Sequence, residues 1–212
     1  MKTIAVVPIK LTNERLPGKN IKLLGGKPLL QYVLNTLTTT SSIDEVYVFC
    51  SEESIRNYLP QKVTFLKRNK NLDLPTSNFN QIFDSFMMEI HADIYVYAHA
   101  TAPFLSTETI NDCIDKVRTA QYDSAYTASK IQDYLWSNGL PVNFDATNLP
   151  RSQDLRSIYK ETSGVYVFTK NAYLKTHRRI GEKPYIKDVS FKETIDINTT
   201  EDFNLAQYLL NY

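Results

Sequence analysis

Over the first 128 residues, short β-branched and aromatic runs alternate with longer stretches of helical periodicity. TIAVVPI (3–9), EVYVFC (45–50), VTFLK (63–67), DIYVYA (93–98) and DSAYTA (123–128) read as buried strands. Helical patterns fill the intervals at 28–38, 52–59, 76–90 and 107–119. Pro28 suits the first turn of its helix, where a missing N–H costs nothing. SEES (51–54) and STETI (106–110) set capping residues ahead of two of these helices. The alternation predicts an α/β domain: a mostly parallel sheet, wrapped on both faces, with right-handed crossovers. Ligands bind such sheets at the carboxyl ends of the strands.

The pattern changes after about residue 129. The stretch 130–163 has no clean period and carries Gly139, Pro141 and Pro150. It reads as an irregular excursion within a single domain spanning 1–212, with a possible hairpin around SNGL (137–140) and Trp136 as a packing or subunit contact. GVYVF (164–168) returns to the sheet, and TEDFNLAQYLL (200–210) forms a helix after the acidic turn TIDINT (194–199).

Composition changes this picture little. The 212 residues suffice for one domain with a real core, and a net charge of +1 gives no reason to expect a nucleic-acid or membrane partner. No apolar stretch approaches a bilayer span, and the amino-terminal run is charged too early for a signal peptide, so a cytoplasmic location is expected. Cys50 and Cys113 lie far apart and read as buried thiols; His91, His99 and His177 show no zinc spacing.

Four stretches carry candidate chemistry. KLTNERLPGKN (10–20) places Lys10, Arg15 and Lys19 in one loop with Asn13 and Asn20, around a Pro17–Gly18 turn. Exposed amides beside cations suit phosphate oxygens; an ordinary solvated basic loop is the alternative. Three of six glycines, Gly18, Gly25 and Gly26, fall within residues 18–26, and that concentration favours phosphate binding. In TIDINT, Asp196 and Asn198 are two apart and share one face of an extended segment, a credible fragment of a Mg²⁺ site or the capping turn of the last helix. HATAPF (99–104) puts His99 at a strand's carboxyl end, where a lone histidine is more often structural. KRNKNLDLPTSN (67–78) ends a strand at Arg68 and opens a helix with Thr76, Ser77 and Asn78, to bind an anion or base edge or simply to cap. No Ser/His/Asp triad is present, and GKNIKLLGGK lacks the spacing of a Walker loop.

Taken together, AVVPIKLTNERLPGKNIKLLGGKPLL, ATAPF, RSQDLRSIYKETSGVYVF and TIDINTTEDFNLAQ resemble, in order and over almost the whole chain, four motifs of the acylneuraminate cytidylyltransferase family. The resemblance implies a Rossmann-like three-layer nucleotidyltransferase fold with a small dimerisation arm in the position of the excursion, and hence a homodimer. It implies transfer of CMP from CTP to a sialic-acid-like 2-keto-3-deoxy sugar acid, with Mg²⁺ and release of pyrophosphate. Lys10, Arg15, Lys19 and Asp196 would then be catalytic. Lys10, Asn13, Arg15, Gly18, Lys19, Asn20, Arg68, Asn78 and His99 would hold the nucleotide. Thr101, Arg151, Gln153, Tyr159 and Lys160 would line the sugar site, with Asp196 and Asn198 at the metal. The chain departs from the pattern at Glu14 (a lysine in the family), His99 (glutamine), Asn198 (aspartate) and ETSG, 161–164. Those departures leave two alternatives: the same fold acting on a sugar 1-phosphate or phosphonate, or a non-catalytic nucleotide-binding homologue.

Overall fold

The computed structural model describes residues 1–211. In chain order its strands are β1 (Thr3–Ile9), β2 (Leu23–Leu24), β3 (Lys27–Pro28), β4 (Glu45–Cys50), β5 (Val63–Lys67), β6 (Ile94–Ala98), β7 (Ser124–Ile131), β8 (Trp136–Ser137), β9 (Leu140–Pro141), β10 (Ile158–Thr169) and β11 (Pro184–Asp188). Its α-helices are α1 (Leu30–Thr39), α2 (Phe79–Glu89), α3 (Thr107–Arg118), α4 (Lys170–Thr176) and α5 (Thr200–Leu209).

Seven strands form one sheet in the order β11-β7-β10-β6-β1-β4-β5. Every pairing in it is parallel except those of β10, which runs antiparallel to both β6 and β7. Strand β1 is central, so its side chains are buried on both faces. Period-2 alternation sends Ala5, Val7 and Ile9 to one side, against Leu34 and Leu37 of α1 and Ile114 of α3. It sends Ile4 and Val6 to the other, against Phe83 and Phe86 of α2 and Tyr173 of α4. That second layer is aromatic: Phe83 lies 4.6 Å from Tyr173 and 5.0 Å from Phe168, edge to face. Each such buried side chain contributes roughly 1.5–3 kcal/mol of transfer free energy.

A third cluster, smaller than these two, shapes the site. Leu16 from the loop after β1, Leu24 and Leu29 near the β2–β3 hairpin, Ile195 and Ile197, and Phe203 and Ala206 of α5 pack together. It ties the amino-terminal loop to the carboxyl-terminal segment.

Several local expectations need correction. Pro28 lies in β3 rather than in a helix, and α1 begins at Leu30. The reason is the Gly25–Gly26 turn (φ 55° and 81°), which folds 23–28 into a hairpin docked on α5 through a hydrogen bond from Gly25 N–H to Gln207 Oε1. These two glycines therefore serve a turn, not a phosphate. The stretch 52–59 forms only a 3-10 helix over Glu53–Tyr58 with no side-chain cap; the Ser51 hydroxyl donates to Asp73 instead. Ser106 does cap α3, accepting from Thr109 N–H. The excursion is more regular than its sequence, because Ile158–Glu161 pairs with Ala128–Ile131 in the ladder. Within it, β8 and β9 form the expected hairpin, turning at Asn138 and Gly139. Helix α4 and strand β11 lie where the sequence reading placed no element. Cys50 and Cys113 are free and buried, and burial pushes the Cys113 thiol up to about 12.

Candidate active site

The loop after β1 is set by its own turn. Lys19 N–H donates to Leu16 O at 3.2 Å, and Gly18 takes the left-handed conformation (φ 65°, ψ 15°) that the second central position requires. Asn20 is buried and its Nδ2 donates to Lys10 O at 2.9 Å, bracing the two ends of the loop against each other. Lys19 is 9% exposed. Its Nζ donates to Ile197 O at 2.7 Å and to Asn198 Oδ1 at 3.3 Å, and Arg15 Nη2 donates to the same Asn198 oxygen at 2.9 Å. Burial holds the Lys19 ammonium below its ordinary pKa; Asp196 opposes that shift, Arg15 adds to it and Asp202 opposes it. Residues about 180 apart in sequence thus meet at one point.

The carboxyl-terminal segment is hung on the sheet. Ile197 N–H donates to Thr101 O at 2.9 Å, just beyond β6. Asn198 Nδ2 donates to Asp196 Oδ2 at 2.7 Å, so the two side chains do share a face, while Asp196 Oδ1 is buried and has no hydrogen-bond partner. The Asp202 carboxylate accepts from the backbone N–H of Asn198 and Thr199, each at 2.9 Å, and Thr199 caps α5.

Of the cavities beyond the carboxyl ends of the strands, three border most of the candidate residues. One of about 350 Å³ is lined by Lys10, Asn13, Glu14, Arg15 and Lys19. A second, of about 260 Å³, shares Lys10 and adds Arg68, Ser77, Tyr97 and His99. A third, of about 570 Å³, is lined by Lys160, Glu161, Ser163, Phe191, Asp196 and Asn198 among others. The Asn198 contacts to Arg15 and Lys19 set the wall of the third cavity against that of the first.

A family model described as cytidylyltransferase matches residues 4–210. The chain belongs to the cytidylyltransferase family. It is 27% identical over 228 residues to the CMP-N,N'-diacetyllegionaminic acid synthase of Legionella pneumophila, covering 99% of this chain and 97% of that one. It is 25% identical over 224 residues to the pseudaminic acid cytidylyltransferase of Campylobacter jejuni, covering 99% and 96%. The fold is that of a solved CMP:2-keto-3-deoxy-manno-octonic acid synthetase complexed with CTP, with a TM-score of 0.74 at 15% identity over 100% of this chain and 99% of the other.

In this cytidylyltransferase, Lys10, Asn13, Arg15, Lys19, Arg68, His99, Asp196, Asn198 and Lys160 all border these neighbouring cavities. Gly18 forms their loop's turn and Thr101 contributes a backbone anchor. Arg68 is buried, donates from Nη2 to Ile9 O at 3.1 Å and pairs with Asp73, leaving its Nε without a partner. His99 sits edge-on to Tyr97 and Tyr166; burial lowers its pKa most, Asp196 raises it, and Arg179 and Lys19 lower it.

Asn20, buried and bonded to Lys10 O, and Thr101 line none of these cavities, and four more expected residues fall elsewhere in the fold. Asn78 is exposed, and its Oδ1 accepts from Gln81 N–H in the capping box of α2, so its side chain is committed to the helix rather than to a nucleotide. Arg151, Gln153 and Tyr159 are exposed on the arm, Arg151 pairing with Asp154 at 2.7 Å. The Asn198 carbonyl oxygen, expected at a metal, is taken by Arg15 and Lys19, and its amide nitrogen faces Asp196. Among the described residues no group of three or more His, Cys, Asp or Glu side chains forms a metal cluster. The sequence reading passed over Asp73, Tyr97, Glu161, Ser163 and Phe191. Ser163 sits at φ 58°, where the ladder between β10 and β7 loses register, and only the antiparallel course of β10 brings it to the cavity.

Proposed function

We propose that this cytidylyltransferase transfers CMP from CTP to a sialic-acid-like 2-keto-3-deoxy sugar acid, releasing pyrophosphate. One observation carries the reading. Lys19 and Arg15, on the loop after β1, and Asp196 and Asn198, before α5, meet between the cavity that Lys10 and Arg15 line and the cavity that Lys160 lines. A triphosphate laid along Lys10, Arg15 and Lys19 brings its α-phosphorus to that junction, with the nucleoside toward Arg68, Tyr97 and His99. The acceptor occupies the third cavity. Its hydroxyl oxygen attacks the α-phosphorus in line, the bond to the bridging pyrophosphate oxygen breaks, and the hydroxyl proton is released. Catalysis is positioning and charge neutralisation. Lys19 is fixed by two acceptors before substrate arrives, so no reorganisation is needed as charge builds.

The unpartnered, buried Asp196 Oδ1 fits a Mg²⁺ that takes its other ligands from substrate phosphates and water. When bound, that ion would neutralise phosphate charge and lower the pKa of a coordinated hydroxyl. Asp196 would hold it; Asn198 orients Asp196 and links it to the cationic loop. The arm carries Trp136 (58% exposed), Leu140, Val142 and Leu149 on its surface, an apolar patch that suits a second copy of the chain and hence a homodimer. Among the described residues no helix is long and apolar enough to cross a membrane, in keeping with work in the cytoplasm.

The test is pyrophosphate release with CTP and Mg²⁺ across nine- and eight-carbon keto-sugar acids, a sugar 1-phosphate and a phosphonate. Release that needs CTP and a keto-sugar acid supports the reading. Release with the sugar 1-phosphate or phosphonate alone reassigns the acceptor, and CTP binding without release from any of them removes the activity.

A further inference from the structure

The chain between β11 and α5 supplies Phe191, Thr194, Ile195, Asp196 and Asn198 to the third cavity. Asp196 Oδ2 accepts from the Asn198 amide and Oδ1 is buried and unpartnered, so the carboxylate is aimed by the backbone that carries it. Two contacts fix the carboxyl end of that backbone. Ile197 N–H donates to Thr101 O at 2.9 Å, and the Asp202 carboxylate accepts from Asn198 and Thr199 N–H.

The amino end is fixed by a carboxylate that no motif singled out. Glu193 Oε1 accepts from the Ser106 N–H at 3.1 Å and from the Ser106 hydroxyl at 2.9 Å, and Oε2 accepts from the Ser190 hydroxyl at 3.2 Å. The Ser106 hydroxyl in turn accepts from Thr109 N–H at 3.1 Å as the cap of α3. In a complete capping box, the third residue of the helix reaches back to the N–H of the cap. Helices α2 and α5 do this with their own Gln81 and Asp202. In α3 the third residue is Thr109, and Glu193, 87 residues from the cap, accepts from that N–H instead. The carboxylate also meets the positive end of a helix of 12 residues. The Phe191–Thr194 turn is thereby tied to the start of a helix that packs on the sheet, three residues before Asp196.

We infer that Glu193 is a positioning residue: by completing the cap of α3 from across the chain, it holds the segment that aims Asp196 into the third cavity. The inference rests on the metal-dependent transfer proposed above and adds the group that keeps its carboxylate in place. The experiment compares wild type with Glu193→Ala, Glu193→Gln and Thr169→Ala, the last of which removes the cap of α4 as a control for cap loss elsewhere. Each is followed by amide hydrogen exchange, by water-proton relaxation of Mn²⁺ with CTP present and acceptor absent, and by turnover well below its melting temperature. Glu193→Ala should speed exchange at Ile197 and Asn198 about tenfold or more and leave the interior of α1 unchanged. It should also weaken Mn²⁺ binding about ten- to a hundredfold and lower kcat with it. Glu193→Gln keeps an oxygen for Ser106 and should recover most of each effect. Thr169→Ala should lose stability without changing Mn²⁺ binding or kcat. Glu193→Asp, one methylene shorter, takes the place of alanine if that variant fails to fold. Unchanged exchange at Ile197 and Asn198 overturns the inference, as does faster exchange with wild-type Mn²⁺ binding and kcat, or an equal loss of both in Thr169→Ala. A wild type that neither binds Mn²⁺ beside CTP nor releases pyrophosphate counts against the proposed function; the exchange comparison then decides Glu193 by itself.

Discussion

Replacing Lys19 with methionine keeps the aliphatic stem and removes the ammonium. Ile197 O and Asn198 Oδ1 then lose a donor, a cost of about 1–3 kcal/mol for buried acceptors. Against that, the desolvation that depresses the Lys19 pKa disappears. The net loss should be about 1–2 kcal/mol, which for a chain of this size is roughly 2–8 °C in Tm. The rate effect should be much larger, because the proposed reaction develops charge on the transferring phosphate beside this ammonium: kcat should fall about 10²- to 10³-fold. The pH dependence adds a second signature. A lysine whose pKa is lowered on folding binds fewer protons in the native state than in the unfolded chain between the lowered value and 10.5. Its contribution therefore makes stability rise with pH through that window, after a constant penalty below it. The stability of wild type relative to Lys19→Met should grow across that interval. Urea denaturation and pyrophosphate release at saturating CTP and acceptor measure both. A kcat within threefold of wild type would refute the phosphate role, and a stability difference flat across the alkaline range would refute the buried-charge argument.

Asp73→Ala should strand the buried Arg68 guanidinium and cost about 3 kcal/mol, seen as a Tm lower by roughly 6–12 °C together with a higher CTP KM; an unchanged melt removes the pair from the site's framework. Burial pushes the Tyr97 and Tyr47 hydroxyls up to about 12, so the fold favours their neutral forms and stability should fall as pH rises from about 10 toward 12; urea midpoints at pH 9 and pH 11 check the sign. Asp196→Asn should cut kcat about a hundredfold or more and blunt its dependence on Mg²⁺, measured by metal titration of pyrophosphate release; an unaltered titration places the ion elsewhere. Trp136 is the chain's one tryptophan, so the proposed homodimer predicts that dilution shifts its emission to the red and that Trp136→Ser weakens self-association in sedimentation; a chain that sediments as a monomer at every concentration refutes it.

Much of this molecule is legible in its sequence because the determinants are local. Buried parallel strands need runs such as TIAVVPI, and their period-2 alternation alone assigns Ala5 and Val7 to one face and Ile4 and Val6 to the other. A Pro–Gly pair between Leu16 and Lys19 specifies the turn it forms, because φ is restricted at one residue and freed at the next. What the sequence left open depends on contacts between distant segments. Gly25 and Gly26 carry the same local signal as Gly18, and only docking against α5 shows that they make a hairpin instead of a phosphate cradle. Asn78 and Arg68 lie ten residues apart with equal claims on a ligand, yet a helix end claims the first while the second is buried in the wall of the cavity that Tyr97 and His99 also line. Glu161 and Ser163 reach the third cavity only because β10 runs antiparallel beside β6 and β7. Backbone geometry and burial period are properties of neighbouring residues, whereas the convergence of Arg15, Lys19 and Asn198 is a property of packing, and packing is decided only when the whole sheet closes on its helices.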